Sequence, residues 1–419
     1  MKRPQTKSPV SQGETIALLA LMISFVALSI DAMLPALPDI GRDLGVAQAN
    51  DPQLVISVLF AGLATGQLIY GPLSDSLGRK PPIYAGFALF LIGCLLSTFA
   101  PSFTVMLVGR FLQGLGAAGP RIVTLALVRD QYEGRAMARI MSLIMAVFIL
   151  VPVLAPIIGQ GILLIGPWRA IFGVLFSLAS ISLIWFAIRQ PETLAPERRA
   201  PFSLRHVGNA FREAFSNRTT LGYTLGAGLI FGAFVGYLTS AQQIFQEQYG
   251  LGKLFPFYFA VLALAIGGAS ISNARLVMRH GMRRLAFLAL ITLTGCSIAF
   301  FAVAYGAAGN PPLWALMTYL LVSFFCIGIL FGNLNALAME PMGHIAGVGS
   351  AVVGAVPTYI SLLFGTWIGQ SFDGTVLPLV GGFAVLGLAA LAVMGWTERG
   401  GIRPIAIPAS VNAEESEQE

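Results

Sequence analysis

The chain has 419 residues, of which 56% are hydrophobic and only 11% charged. A soluble domain is about 25% charged, so these few ionic side chains cannot dress the water-facing surface of a chain this long. The composition excludes an ordinary cytosolic enzyme, a disordered chain and a nucleic-acid binder, and points to a polytopic membrane protein. The net charge of +6 then becomes a question of where Lys and Arg fall, not of an anionic partner.

In chain order, Lys2, Arg3 and Lys7 precede an apolar run from Thr15 to about Leu37, interrupted by Asp31. That run is too long for the apolar region of a signal peptide and reads as an uncleaved first membrane span. A spanning helix needs about 20 mostly apolar residues, and twelve such stretches follow one another. They are 15–37, 53–73, 82–100, 104–128, 139–164 and 168–188, then 219–245, 255–274, 285–306, 313–337, 347–371 and 376–396. The expected fold is all-α, with twelve transmembrane helices in two six-helix bundles. Its expected parts are an N-terminal bundle (1–188), a polar central loop (189–218), a C-terminal bundle (219–397) and a disordered cytoplasmic tail (398–419) ending in Glu414, Glu415, Glu417 and Glu419. Cys94, Cys296 and Cys326 have no metal or disulfide spacing and read as small buried hydrophobes.

With the N-terminus inside, 20 of the 25 Lys and Arg fall in inside segments, three fall outside, and two, Arg110 and Arg121, lie within spans. This asymmetry places both termini in the cytoplasm. The six-plus-six layout implies an internal repeat. The loop after span 2, Gly71 to Lys80, carries Gly78-Arg79-Lys80, and the loop after span 8 carries Gly281-Met282-Arg283-Arg284, with Met278 where the first copy has Asp75.

Gly71, Leu73, Asp75, Gly78, Arg79 and Lys80 resemble the loop signature of the major facilitator superfamily. Arg110-Phe-Leu-Gln113-Gly114 resembles its fourth-span motif, and Ala155-Pro156-Ile-Ile-Gly159 the end of the fifth-span motif of antiporters. The stretch Ser29 to Pro38, Gly66 to Asp75, Val128-Arg129-Asp130 and Pro191-Glu192-Thr193-Leu194 resemble the Bcr/CflA drug-resistance subfamily. The resemblance implies drug efflux coupled to proton entry across a bacterial inner membrane. The expected partners are a small-molecule substrate, protons and the bilayer, for a monomer without cofactor, metal or nucleic acid.

A charge inside the bilayer costs a few kcal/mol and is a functional candidate by default. Asp31 lies about seven residues before Pro38, and Arg110 about seven residues into span 4, so both sit at about 10 Å depth. An ion pair at matched depth would offset both desolvation costs. It reads either as the proton-coupling element or as a static structural pair. Arg121, eleven residues on, falls about 20° from Arg110 around the helix and either lines the inner half of the cavity or snorkels to the surface. The substrate cavity is expected to draw on Arg121, Gln113, Tyr237, Gln242, Asn333 and Asn335.

The Gly71, Asp75, Gly78, Arg79, Lys80 loop reads as conformational: glycine permits the tight turn. Asp75 is expected to cap the next helix or pair with Arg129 or Arg135, latching one face closed. Pro152, Pro156 and Gly159 give span 5 a kinked, small-faced surface suited to rocking. Glu340, in a loop without Lys or Arg, is expected to pair with an arginine of a neighbouring loop. Uptake or export of one specific metabolite on the same fold is the alternative function. A membrane-embedded enzyme is disfavoured, because His206, His280 and His344 stand apart and outside any ligand motif.

Overall fold

The computed structural model describes residues 11–199 and 204–399. Twelve helices are long and apolar enough to cross a membrane: α1 (Gln12–Asp43), α2 (Asp51–Leu77), α3 (Lys80–Thr98), α4 (Phe103–Gln131), α5 (Gly134–Ile165) and α6 (Arg169–Arg189), then α7 (Arg218–Gln248), α8 (Gly252–His280), α9 (Met282–Gly306), α10 (Leu313–Met342), α11 (Gly349–Gln370) and α12 (Leu377–Glu398). Every stretch read from hydropathy becomes one of them, because in lipid each backbone N–H and C=O must be satisfied within the segment. The central segment contains an amphipathic helix, Leu204–Ser216, whose Ala214 is buried against Met342 and Val352. The tail from residue 400 onward lies outside the described residues.

The packing repeats with an offset of six helices. In the first half α1 packs on α5, α2 and α3 on α4, and α3 on α6; in the second half α7 packs on α11, α8 and α9 on α10, and α9 on α12. The halves meet along α2 with α11 and along α5 with α8, which is itself a symmetric pair. Small residues allow the tightest of these approaches. Gly62 and Gly66 of α2 lie against Phe111, Leu115 and Ala118 of α4, with no room for a Cβ.

The decayed loop repeat survives in three dimensions. Gly78 and Gly281 both take left-handed backbone, at φ +99° and +76°. Arg79 pairs with Asp130 at the end of α4 (2.7 Å), and Arg283 pairs with Glu340 at the end of α10 (3.3 Å). The expected arginine partner of Glu340 is therefore Arg283. The missing Asp75 equivalent, Met278, is 85% exposed, so the second copy has lost one member of its ionic cluster.

α1 is not one continuous helix. Its α-helical part, Gln12–Asp31, stops at Asp31, passes through a turn and the 3-10 segment Leu34–Ala36, and resumes as Leu37–Asp43. Pro35 and Pro38 have no amide hydrogen to continue the ladder. The break leaves carbonyls that other groups must satisfy, which is why it matters for the site.

Candidate functional site

Arg110 does not pair with Asp31. Its guanidinium is wholly buried and spreads over three acceptors: Nη2 donates to the Ser29 carbonyl (2.7 Å), Nε to the Val55 carbonyl (3.1 Å) and Nη1 to Gln113 Oε1 (2.5 Å). Its charge also rests over the Phe172 ring at 5.8 Å. The matched depth was legible, but residues two apart on a helix stand about 200° apart around it. An arginine lodged at the backbone of Ser29, where the α1 ladder fails, therefore does not meet the Asp31 side chain. The fork shape of the guanidinium suits it to this stapling of α1, α2 and α4.

Gln113 is likewise corrected from a cavity residue to a support for Arg110. It is fully buried, and its Nε2 donates to Ser97 Oγ (3.4 Å) and lies 3.5 Å from Cys94 Sγ, both on α3. Asn333 is also not a cavity group: it exchanges hydrogen bonds with Asn273 on α8 (2.8 and 3.4 Å), a tie of the kind that joins helices in lipid. Asn335 is exposed and donates to its own helix at the Phe331 carbonyl (3.0 Å). Arg121 is half-buried, with no hydrogen bond or ion pair among the described residues.

Asp31 is only 4% exposed, and among the described residues its carboxylate has no hydrogen bond or ion pair. It ends the helical part of α1 and lies near enough to Tyr237, on α7 of the other half, to act on it electrostatically. Tyr237 is wholly buried, and its hydroxyl has no hydrogen-bond partner among the described residues. Its ring packs on Phe324 (4.7 Å between centroids) and Phe259 (5.7 Å). From there an aromatic wall runs through Phe234, Phe331 and Phe231 and crosses to Phe60 on α2 (5.8 Å). Phe60, Phe324 and Phe331 escaped the sequence reading. The spacing of seven between Phe324 and Phe331, which puts both on one helix face, was the available signal.

Polar ties between the halves gather at the end opposite the two termini. Asn50 Nδ2 donates to the carbonyls of Gln370 and Phe372 (2.9 Å each), and Gln370 Nε2 donates back to the Asn50 carbonyl (2.9 Å). Gln243 donates to Asn50 Oδ1 (2.7 Å), and Gln53 donates to Gln242 Oε1 (3.0 Å). Thr366 donates to Ser57 Oγ (2.8 Å) one turn deeper. Gln242 is thus held between Gln53 and Glu247 (3.0 Å) and, as expected of it, lines a cavity.

At the opposite end, Asp75 pairs with Arg79 (2.6 Å), not with Arg129 or Arg135. The left-handed turn at Gly78 folds Arg79 back over the end of α2, where it also meets Ser74 and Asp130. Burial works against the Arg79 charge, but hydrogen bonds to Asp130 and Asp75 carry its guanidinium above the ordinary range. The capping role expected of Asp75 belongs to Glu192, whose carboxylate accepts from the amides of Arg79 (2.9 Å) and Lys80 (3.0 Å) at the start of α3. Those bonds, with the Leu194 and Thr193 amides, outweigh burial and hold Glu192 below the usual carboxylate range. Lys80 lies over the Tyr84 ring at 5.7 Å. This cluster ties the central segment to the first half, while Gly71 faces the other half at Ala351.

Pro152 and Pro156 lie inside α5, and Gly159 is the point where α5 touches the broken part of α1: a Cβ there would collide with the Ala32 carbonyl. Gly159→Ala is expected to cost about 1–3 kcal/mol through overpacking. Gly161→Ala, two residues on with open space around it, serves as the neutral control. Thermal unfolding in detergent checks this; equal melting temperatures for the two variants would dismiss the contact.

A twelve-helix bundle with internal sixfold-offset packing, a buried lone carboxylate at a helix break and an aromatic wall between its halves defines a membrane transport protein. The profile described as Major Facilitator Superfamily matches residues 19–366, and the chain belongs to that family. An uncharacterized MFS-type transporter, YdgK of Bacillus subtilis, is 30% identical over 388 residues, covering 91% of this chain and 94% of that protein. The bicyclomycin resistance protein homolog of Haemophilus influenzae is 29% identical (87% and 90% covered), and the multidrug resistance protein MdtL of Klebsiella pneumoniae 28% (87% and 91%). The resemblance to a drug-resistance branch is thus shared by curated relatives. Among solved structures, the human organic anion transporter MFSD10 aligns with TM-score 0.67 at 16% identity (92% and 100% covered). The xylose transporter XylE of E. coli, in a partially occluded inward-open conformation, aligns with 0.69 at 10% (92% and 97% covered). At these identities the structures speak for the fold.

Proposed function

We propose that this transporter exports drug-like small molecules in exchange for protons across a bacterial inner membrane, as a monomer with both termini in the cytoplasm. The observation that carries the reading is Asp31: a buried carboxylate with no partner among the described residues, at the break of α1, beside the aromatic wall shared by both halves. An unpaired charge in a dry site is costly, so the group is stable there when it holds a proton or faces a cationic substrate. The two occupants are mutually exclusive, and that exclusion is what antiport requires. The aromatic rings offer an apolar surface that tolerates varied shapes, and they suit cationic amphiphiles through their π-faces. Arg121, free of partners among the described residues, is left to a polar substituent of the substrate or to cytoplasmic water.

In this orientation the cluster of Asn50, Gln53, Gln242, Gln243 and Gln370 closes the outer face. Transport then proceeds by rocking residues 1–188 against 219–397, with the central segment linking the two and the α5 contact at Gly159 as a pivot. The names of the bicyclomycin- and multidrug-resistance relatives support the substrate class.

The test is a resistance profile in a pump-deficient bacterial host, with and without an uncoupler. Expression should raise the tolerated concentration of several unrelated lipophilic cations at least about fourfold, and the uncoupler should abolish the increase. Accumulation of one metabolite with no change in drug tolerance would replace this reading by the specific-metabolite alternative.

A further inference from the structure

A cavity of about 490 Å³ opens between the halves at the end opposite the termini, and no step of the proposed cycle uses it. Its first-half wall presents Pro38 of α1 and Leu163 and Leu164 of α5, beside the polar side chains of Asp39 and Gln160. Its second-half wall carries Gln242, Glu247 and Lys253. Glu247 and Lys253 are exposed side chains of opposite sign lining one cavity, yet among the described residues neither takes part in an ion pair. Glu247 accepts one hydrogen bond, from the neutral amide of Gln242 (3.0 Å), which leaves most of its acceptor capacity free. Asp39, also in the lining, pairs with Arg42 (3.1 Å).

Two charges of opposite sign, without ion-pair partners among the described residues and set beside Pro38, Leu163 and Leu164, match a ligand with an ammonium group and an anionic group joined to an apolar body. The cavity also stands at headgroup height. Aromatic residues collect at the two interfaces of a bilayer, and exposed Tyr305, Trp314 and Trp367 (72%, 74% and 62%) stand near this end of α9, α10 and α11. Leu164 and Ile165, beside the cavity mouth, are 59% and 90% exposed, as lipid-facing residues are. We propose that this cavity binds a zwitterionic phosphoethanolamine headgroup, its ammonium on Glu247 and its phosphate on Lys253, with the acyl chains descending along Leu163 and Leu164.

The consequence follows from the wiring of Gln242. Glu247 holds Gln242, and Gln242 accepts from Gln53 of the other half (3.0 Å). A headgroup bridging the charged wall of the second half and Pro38, Leu163 and Leu164 of the first therefore reinforces the closed state of this face. The site is defined by its place in the bundle, so it stands or falls separately from the direction of transport and from the identity of the exported compound.

The test uses the full-length protein in nanodiscs of phosphatidylethanolamine, phosphatidylcholine or phosphatidylglycerol, reading thermal unfolding and co-purified lipid by native mass spectrometry. Phosphatidylcholine keeps the charges but has no N–H donor, and phosphatidylglycerol has no ammonium. The expected result is a higher melting temperature and selective retention with phosphatidylethanolamine. Glu247→Gln and Lys253→Gln should each weaken retention about tenfold, as loss of one charge-assisted contact does. Soluble phosphoethanolamine added to phosphatidylcholine discs separates the sources. Failure to reproduce the shift assigns the site to the lipid; success assigns it to a soluble zwitterion of the same chemistry. Equal behaviour in all three lipids, or a phosphatidylethanolamine effect that survives both substitutions, overturns the proposal. The wild-type lipid comparison stands even where a variant fails to fold.

Discussion

Asp31→Asn is expected to yield a folded transporter that binds and equilibrates substrate but no longer builds a gradient of it. The substitution keeps the shape of the side chain and removes the proton acceptor, and it also removes a charge that is expensive to bury. Stability in detergent should therefore be equal to that of the wild type or higher. The functional loss has a calculable ceiling. Exchange of one proton for one monovalent cation moves no net charge, so the pH difference supplies the drive: one pH unit is worth about 1.4 kcal/mol and supports a substrate ratio of about tenfold. Purified protein in proteoliposomes under an imposed proton gradient measures this directly. Wild type should concentrate a lipophilic cation by up to that factor per coupled proton, and Asp31→Asn should bring the ratio to about one. Drug-dependent proton flux that survives the substitution unchanged would remove Asp31 from coupling and leave the break of α1 without its proposed purpose.

Arg110 predicts the opposite pattern. It satisfies the carbonyls of Ser29 and Val55 and the amide oxygen of Gln113 in a fully buried position. Arg110→Met fills the space but leaves three dry acceptors, each costing about 1–3 kcal/mol. The total of several kcal/mol should lower the melting temperature by at least about 5 °C and reduce the amount of protein in the membrane. Arg110→Lys keeps the charge, yet a single ammonium cannot reach three acceptors arranged for a fork, so an intermediate loss is expected. Transport per folded molecule should remain proton-dependent in the lysine variant. A methionine variant that melts like the wild type and loses only its proton dependence would reinstate Arg110 as the coupling partner of Asp31.

Together the two variants separate roles that matched depth alone had merged. Asp31 and Arg110 lie at one level of the membrane, yet one faces the seam between the halves and the other fastens the interior of the first half. The unwound turn after Asp31 links them. It leaves the Ser29 carbonyl that Arg110 satisfies, and it presents Asp31 where α7 brings Tyr237 close. A helix broken at the depth of a functional charge is how a membrane protein exposes backbone and side chain together without a lipid-facing loop.

Much of this protein was legible in its residues. Twelve apolar stretches became twelve helices because lipid leaves the backbone no alternative partner over 20 residues. The glycine and basic residues at Gly78 and Gly281 foretold two related turns, and both carry left-handed backbone that favours glycine. The lone carboxylate Asp31 stood out because a charge in an apolar run is costly wherever the helix packs. Gly159 was legible as a packing site from its company of prolines, although its contact, the Ala32 carbonyl, was not.

What the chain did not declare was who meets whom. Hydropathy and helical period give depth and facing within one helix, but a partner lies on another helix whose rotation and neighbours are set by packing. Hence Arg110 took carbonyls in place of Asp31, Asp75 took Arg79 in place of Arg129 or Arg135, and Glu192, more than a hundred residues away, took the start of α3. Gln113 and Asn333 are polar residues in apolar spans, for which a cavity and a helix–helix bond look identical in sequence. The tertiary structure alone decided between these, because in a medium without water a polar group takes whichever partner packing brings within reach.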